Sequence, residues 1–188
     1  MEETVRTFII ALVLAVGLIS SAGSASAATL ERLSFEDMAV RSTQIIRGTV
    51  MDSWAALTGG VIYTHYRIQV AETFKGPAGS AVEIMVPGGT VNGLRQSFSG
   101  SPTLNKGDEF VFFLWTGRGG ITWITGLTQG LFSLPAGSAT DRTARRAASP
   151  ELMLDRATGR PVKDVAVTMH LSELRSRIAA ALAKGGSQ

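Results

Sequence analysis

The stretch Ile45–Gly76 consists of two long runs around Gly59-Gly60, and its second half alternates strictly between apolar and polar positions. In its second half, one phase holds apolar or weakly polar residues and the other holds polar ones. The first phase is Ile62, Thr64, Tyr66, Ile68 and Val70, and the second is Tyr63, His65, Arg67 and Gln69. Because successive side chains of a strand point to opposite faces, this pattern predicts a β-strand with one face on a core. With the run before Gly59, it predicts two long strands joined by a loop.

Shorter segments without a helical period follow, each bounded by turns that contain glycine or proline. The strands predicted in this way are Gln44–Trp54, Val61–Phe74, Ala81–Val86, Leu94–Ser99, Glu109–Thr116, Ile121–Gly126 and Gly130–Leu134. Glycine accounts for 21 of 188 residues, above the usual frequency of roughly 7%, and the excess lies mainly at these turns. Short strands at near-regular spacing predict a mainly β protein, either a barrel or a sandwich.

Two helices are predicted to flank the strands. Ser34 is the expected N-cap of a short helix that ends near Ser42, and Asp37 reaches back to it as in a capping box. An amphipathic helix ends the chain, with Ser172 as its N-cap and a glycine stop at Gly185. Its apolar face consists of Leu174, Ile178, Ala181 and Leu182. We expect this helix to dock on the strands.

Three further segments do not show the alternating pattern of a half-buried strand. Phe110–Trp115 is apolar on both faces. It is either a central strand covered by the terminal segments or a hydrophobic binding surface, and cover is favoured because an exposed strand of this kind aggregates. Pro135–Pro150 is small, polar and basic, which predicts a flexible linker. Leu152–Leu154 and Val162–Met169 predict a hairpin around Asp155–Pro161.

The N-terminus carries an export pattern. Phe8–Ile19 is an apolar run of twelve residues, which is shorter than the roughly 20 that a membrane span needs. Small residues follow and end in Ala25-Ser26-Ala27, the A-x-A pattern of a signal-peptide cleavage site. We therefore expect export to the periplasm or the medium, with no membrane span after cleavage. An uncleaved anchor is the alternative.

The expected organisation has four parts. Residues 1–27 are the signal peptide, 28–134 the β-barrel domain with its N-terminal helix, 135–150 the linker, and 151–188 a hairpin and helix that pack on the barrel. Cleavage removes one Arg and two Glu, which changes the net charge from +3 to +4. This modest excess is spread along the chain, so nucleic acid is not an expected ligand. The absence of cysteine excludes disulfides and thiolate chemistry.

Several strand–turn motifs follow one another between Ile45 and Phe132. They are Ile46–Val50, Tyr66–Val70 with Phe74–Gly76, Ile84–Pro87 before Gly88–Gly93, and Gly107–Glu109 before Phe110–Leu114. This order resembles the netrin-like module, an OB-type β-barrel found in tissue inhibitors of metalloproteinases. It is also similar to a broad group of small secreted bacterial proteins with this barrel. The resemblance implies a small closed barrel over a little over half of the mature chain.

The functional part of this resemblance is incomplete. In those inhibitors, an N-terminal cysteine chelates the target's zinc and is tethered by a disulfide to the loop corresponding to Thr90–Gly93. Here the expected N-terminal residue is Ala28, and the partner position near Asn92 is no cysteine either. The resemblance thus implies, at most, peptidase inhibition through a free amino group, and likeness of fold alone does not transfer function.

The sequence contains no residue set with catalytic or metal-binding spacing. Its two histidines, His65 and His170, lie far apart, and Asp108-Glu109 sits in an expected turn. Gly88–Gly93 lacks the G-K-[ST] ending of a phosphate loop. We therefore expect no catalytic residue, no metal ligand and no cofactor, and a protein that is not an enzyme.

The candidate binding residues are Arg47, Tyr63, His65 and Arg67. The last three share the polar phase of one strand, and Arg47 is expected on the neighbouring strand. Cross-strand pairing of polar residues explains this face equally well. Our hypothesis is an exported, non-catalytic module that binds a protein or cell-envelope component, with a peptidase as one candidate. The alternatives are an envelope-polymer hydrolase with a dispersed acidic site and a subunit that assembles through strand edges.

Overall fold

The computed structural model describes residues 29–137 and 142–185. The predicted signal peptide at 1–27 lies outside these ranges. Within them, no helix has both the length and the apolar character that crossing a membrane requires. The domain boundaries and the export of the chain stay predictions.

The described residues form a mainly β structure with two α-helices. The strands are β1 (Thr29–Glu31), β2 (Gln44–Thr58), β3 (Val61–Lys75), β4 (Ala81–Pro87), β5 (Gly89–Val91), β6 (Leu94–Gln96), β7 (Glu109–Thr116), β8 (Thr122–Ile124), β9 (Leu131–Ser133), β10 (Thr143–Arg146), β11 (Leu152–Leu154), β12 (Pro161–Val162) and β13 (Val167–His170). The helices are α1 (Phe35–Arg41) and α2 (Leu171–Gly185). The predicted mainly β class is confirmed.

Five strands pair into a ring. The pairs are β7 with β2, β2 with β3, β3 with β4, β4 with β8 and β8 with β7. Four of these pairs are antiparallel, and β4 meets β8 in parallel at Met85 and Trp123. β9 pairs with β7 at Phe110–Phe112, on the edge opposite β2 and next to β8, and the sheet continues from β9 through β10 to β13. The sequence thus correctly predicts a ring-like sheet, whereas its identity as a closed netrin-type barrel stays a prediction.

The hydrophobic core has two parts, one on each face of strand β7. Inside the ring, Phe112 and Leu114 pack with residues of β2, β3, β4 and β8. On the opposite side, Val111 and Phe113 pack under α1 and α2. This arrangement confirms that the apolar strand is covered by the terminal segments. Trp115 is the exception, because it remains half exposed at the end of the strand.

Both helices lie near their predicted positions. The Ser34 hydroxyl caps α1 by accepting the backbone N–H of Asp37 at 2.9 Å. The predicted face of α2 is buried at Leu174, Ile178 and Ala181. The prediction of Ser172 as N-cap is wrong, because α2 begins at Leu171. The N–H of Leu171 donates to the carbonyl of Arg142, so β13 passes directly into the helix.

The prediction of a flexible linker at 135–150 is wrong for Thr143–Arg146. These residues form β10, which pairs with β13 and, at Arg145, with Ser133 of β9. The sequence shows no strand pattern here, because Ala144 is the only apolar residue of the four and Arg146 is held by an ion pair with Asp164.

The predicted C-terminal hairpin is confirmed only in its first half. Leu152–Leu154 pairs with Pro161–Val162 around the expected turn. Val167–His170 belongs instead to β13, on the main sheet beside β10.

Candidate binding face

A row of five large side chains crosses the outer face of the ring, one from each strand. Directly opposed residues of neighbouring strands lie on the same side of a sheet. The register opposes Trp54 to His65, His65 to Met85, Met85 to Trp123, and Trp123 to Trp115. We name these five residues the aromatic band. It contains all three tryptophans of the chain.

The band faces outward because the alternate positions face inward. Tyr66, Ile84, Leu114 and Ile124, each adjacent in sequence to a band residue, are buried inside the ring. At the two ends of the band, by contrast, Trp54 is 37% exposed and Trp115 is 48% exposed. The band therefore faces outward and is accessible at its two ends, whereas His65, Met85 and Trp123 between them are partly buried.

Aromatic and cationic contacts fix the geometry of the band. The rings of Trp54 and His65 stack with centroids 5.2 Å apart and an interplanar angle of 12°. The guanidinium of Arg67 lies 5.8 Å from the centre of the Trp54 ring. Tyr63 packs edge-on against Trp123, at 5.5 Å. The predicted residues Tyr63, His65 and Arg67 thus contact or belong to one continuous surface.

A charged row borders the band. The register opposes Asp52 to Arg67 and Arg67 to Glu83, so the row has both signs of charge. Nδ1 of His65 lies 2.8 Å from a carboxylate oxygen of Glu83. This contact and the stack on Trp54 fix the orientation of the His65 ring.

Arg47 lies apart from the other predicted residues. It is on the outer side of β2, but Trp54 is seven positions further along, roughly 23 Å in an extended strand. Its guanidinium binds Glu72 at 3.1 Å and Glu109 at 3.0 Å. These contacts give Arg47 a structural role in the ion pairs beneath α2, and the structure does not bring it to the aromatic band.

Several acidic residues of the described ranges are held in structural contacts. Glu109 binds both Arg47 and Arg142, and Asp108 accepts the N–H of Asn105 at 2.9 Å. Hydrogen bonds from Arg175, which are partly opposed by burial, lower the pKa of Glu72. A general acid instead needs a carboxyl whose pKa is raised. No cluster of three metal-ligating side chains occurs among residues 29–137 and 142–185.

Sequence reasoning missed four of the five band residues: Trp54, Met85, Trp115 and Trp123. One signal was available, because Trp54 lies two positions after Asp52 and therefore shares its side of the strand. The other three come from strands that are distant in the sequence, so only the long-range register brings them together.

Comparison of the chain with protein-family models, with curated proteins and with solved structures finds no match. The candidate function therefore has to be argued from the geometry of this face.

Proposed function

We propose that the protein is a non-catalytic binding module that recognises another protein through the aromatic band. The observation that carries this proposal is the alignment of Trp54, His65, Met85, Trp123 and Trp115 in one row across the ring. Exposed tryptophan is costly to leave in water. Three tryptophans in one row, two of them over a third exposed, indicate a surface that a partner covers.

The composition of the face favours a protein partner. Trp, Tyr, Met and Arg are enriched at protein interfaces, whereas Lys is depleted. The band and its border contain Tyr63, Arg67 and Met85 and no lysine. Nucleic acid is disfavoured because Asp52 and Glu83 flank the single Arg67, and single-strand binding needs a positively charged groove. The charges of both signs suit a partner that presents complementary charges.

The proposal also specifies the type of barrel, the location of the protein and the class of its partner. We propose a closed OB-type barrel of the netrin kind, exported to the periplasm or the medium, with a secreted peptidase as the candidate partner. The strand order between Ile45 and Phe132 and the Ala25-Ser26-Ala27 pattern support these points.

The experiment that tests the proposal removes the two most exposed rings of the band. The purified exported chain is immobilised, and envelope and secreted proteins are passed over it. Proteins retained by the wild type are then purified and their affinities measured for the variants. We expect Trp54→Ala/Trp115→Ala to weaken binding at least about tenfold, since aromatic side chains that a partner covers carry a large share of the energy of an interface.

The matched control is Leu152→Ala/Val165→Ala, which removes two exposed apolar side chains elsewhere on the surface. It should retain wild-type affinity. If every retained protein binds the band variant and the wild type equally well, or if none is retained, the proposal fails.

The two alternatives stay predictions. A hydrolase with a dispersed acidic site would need a carboxyl whose pKa is raised, whereas the pKa values of Glu72, Asp155 and Asp164 are lowered. Assembly through strand edges depends on which edges are open.

A further inference from the structure

β2 has an open edge beyond the ring. One side of β2 pairs with β3 along its length. The other side pairs with β7 only over Gln44–Thr49, and Val50 then exchanges backbone hydrogen bonds with Gly107 and Asp108. Within the described ranges, no strand pairs with that side of β2 from Asp52 to Thr58.

The geometry of the hairpin shows which backbone groups face this edge. Gly59 and Gly60 form a two-residue turn, both with positive φ, and Thr58 opposes Val61. Residues that flank such a turn exchange two hydrogen bonds, and hydrogen-bonded pairs alternate with non-bonded pairs along the ladder. The N–H and C=O groups of Ser53, Ala55 and Leu57 therefore point away from β3.

The hydrogen bonds support this assignment. The N–H of Ser53 donates to the side chain of Asp52 at 2.9 Å, which a bond to β3 would prevent. Ala55 and Leu57 have no equivalent side-chain partner among the described residues. Lysine, proline and β-bulges are among the features that protect natural edge strands. Met51–Thr58 contains neither lysine nor proline, and the register irregularity of this stretch lies at its start, between Val50 and Asp52.

We propose that an extended segment of the partner protein adds to β2 as a further strand, bonded to the backbone of Ala55 and Leu57. This inference rests on the proposed function and gives the chemistry of the partner. The turn at Gly107 closes one end of the edge and Gly59 the other. The seven residues from Asp52 to Thr58 leave room for a segment of roughly 23 Å.

Side chains beside the edge specify the segment further. Trp54 lies on the outer side of β2, and Leu57, which is 54% exposed, lies on the other side. Successive residues of an added strand would contact these two side chains in turn. The bound segment should therefore carry apolar residues on both faces. Because Trp54 also belongs to the aromatic band, the edge and the band form one surface.

A second copy of the chain fits the edge less well. A two-fold pairing centred on Ala55 would oppose Ala56 to Trp54 and Ser53 to Leu57, so it would bury few large side chains. Stable interfaces bury about 1,200 Å² or more. The band adds area only when the occupant also extends over the outer face of the ring, as a larger partner protein does.

The test uses a displayed library of short peptides selected on the purified chain. The enriched peptide is synthesised, and its Kd is measured for the wild type, Ala55→Pro and Leu152→Ala. Proline at 55 removes an N–H that makes no bond to β3, so the hairpin can persist while the edge loses a donor. We expect the Kd to rise about tenfold or more in Ala55→Pro and to stay unchanged in Leu152→Ala.

Hydrogen exchange on the wild type keeps the test decisive if Ala55→Pro fails to fold. Bound peptide should slow exchange at the amides of Ala55 and Leu57. Strand addition is overturned if no peptide is enriched, if exchange at these amides is unchanged, or if folded Ala55→Pro binds normally. It is also overturned if the chain forms a dimer that Ala55→Pro abolishes. If a captured partner binds Ala55→Pro but not Trp54→Ala/Trp115→Ala, the proposed function stands and strand addition alone fails.

Discussion

The ion pair between Arg146 and Asp164 holds the segment that the sequence presented as a linker. The Asp164 side chain is 1% exposed and that of Arg146 is 10% exposed. Two hydrogen bonds, of 2.7 and 2.9 Å, join the guanidinium to the carboxylate, and the N–H of Ser149 donates to the same carboxylate. Burial alone would raise the pKa of Asp164, but these hydrogen bonds outweigh it and the pKa is lowered. The carboxylate is therefore stabilised in its charged form.

Asp164→Asn should destabilise the protein strongly. The substitution leaves the guanidinium of Arg146 buried without a counter-charge, and breaking a buried pair in this way costs about 3–5 kcal/mol. Urea unfolding at neutral pH measures the change in the free energy of unfolding. Asp155→Asn is the control, because Asp155 caps an exposed turn at Thr158. A loss for Asp164→Asn no larger than that of the control would contradict the structural role of the pair.

At the level of elements, strands with a regular pattern of apolar residues could be predicted from the sequence. Strands held mainly by ion pairs or hydrogen bonds could not. The bounds of β7 match the predicted Glu109–Thr116, because an apolar run between turns has few alternative readings. The alternation of β3 likewise placed Tyr66 and Ile68 in the core. β10 carries no such pattern, since it depends on an ion pair to a residue that is distant in the sequence. Gly88–Gly93 includes strand β5 and a tight Asn92-Gly93 turn with positive φ at both residues.

The docking of α2 makes a separate prediction. Leu174 is fully buried in the cluster beneath α1 and α2, so Leu174→Ala should lower the free energy of unfolding by about 2–5 kcal/mol. Unfolding is followed by far-ultraviolet circular dichroism and by tryptophan fluorescence. We expect both signals to change together, at a lower urea concentration than in the wild type. Glu173→Ala, at an exposed neighbouring position, should have little effect. Loss of helical signal before the fluorescence changes would show that α2 is not part of the same cooperative unit.

At the scale of the whole molecule, only part of the candidate site could be predicted from the sequence. Tyr63, His65 and Arg67 were found because they share one phase of one strand. The row from Trp54 to Trp115 depends on the closure of the ring, where β4 meets β8 at a single pair. Neither that pairing nor its register has a local signal in the sequence. Arg47 lies apart from the band because it opposes Glu72 of β3 and Val111 of β7, far from the tip of the β2–β3 hairpin.

A chain of alternating charges runs through five elements of the fold. Its members, in order, are Arg142, Glu109, Arg47, Glu72 and Arg175, on the segment before β10 and on β7, β2, β3 and α2. Its carboxylates must be ionised to bind their arginines. Hydrogen bonds from Arg175, and then the charges of Arg175 and Arg47, lower the pKa of Glu72 below its usual value of 4.5 despite an opposing effect of burial.

This lowered pKa predicts a loss of stability in acid. The unfolded chain takes up a proton at Glu72 at a higher pH than the folded protein, so the contribution of Glu72 is fully present above the usual value of 4.5. It is lost as the pH falls through the lower folded pKa. Urea unfolding of the wild type and of Glu72→Gln, from neutral pH to about pH 3, isolates this contribution from that of Asp164, which has the same sign. The two curves should be separated at neutral pH and converge in acid, and added salt should narrow the gap because the group is partly exposed. A gap that stays constant across this pH range would mean that the charge of Glu72 does not help to hold α2 on the sheet.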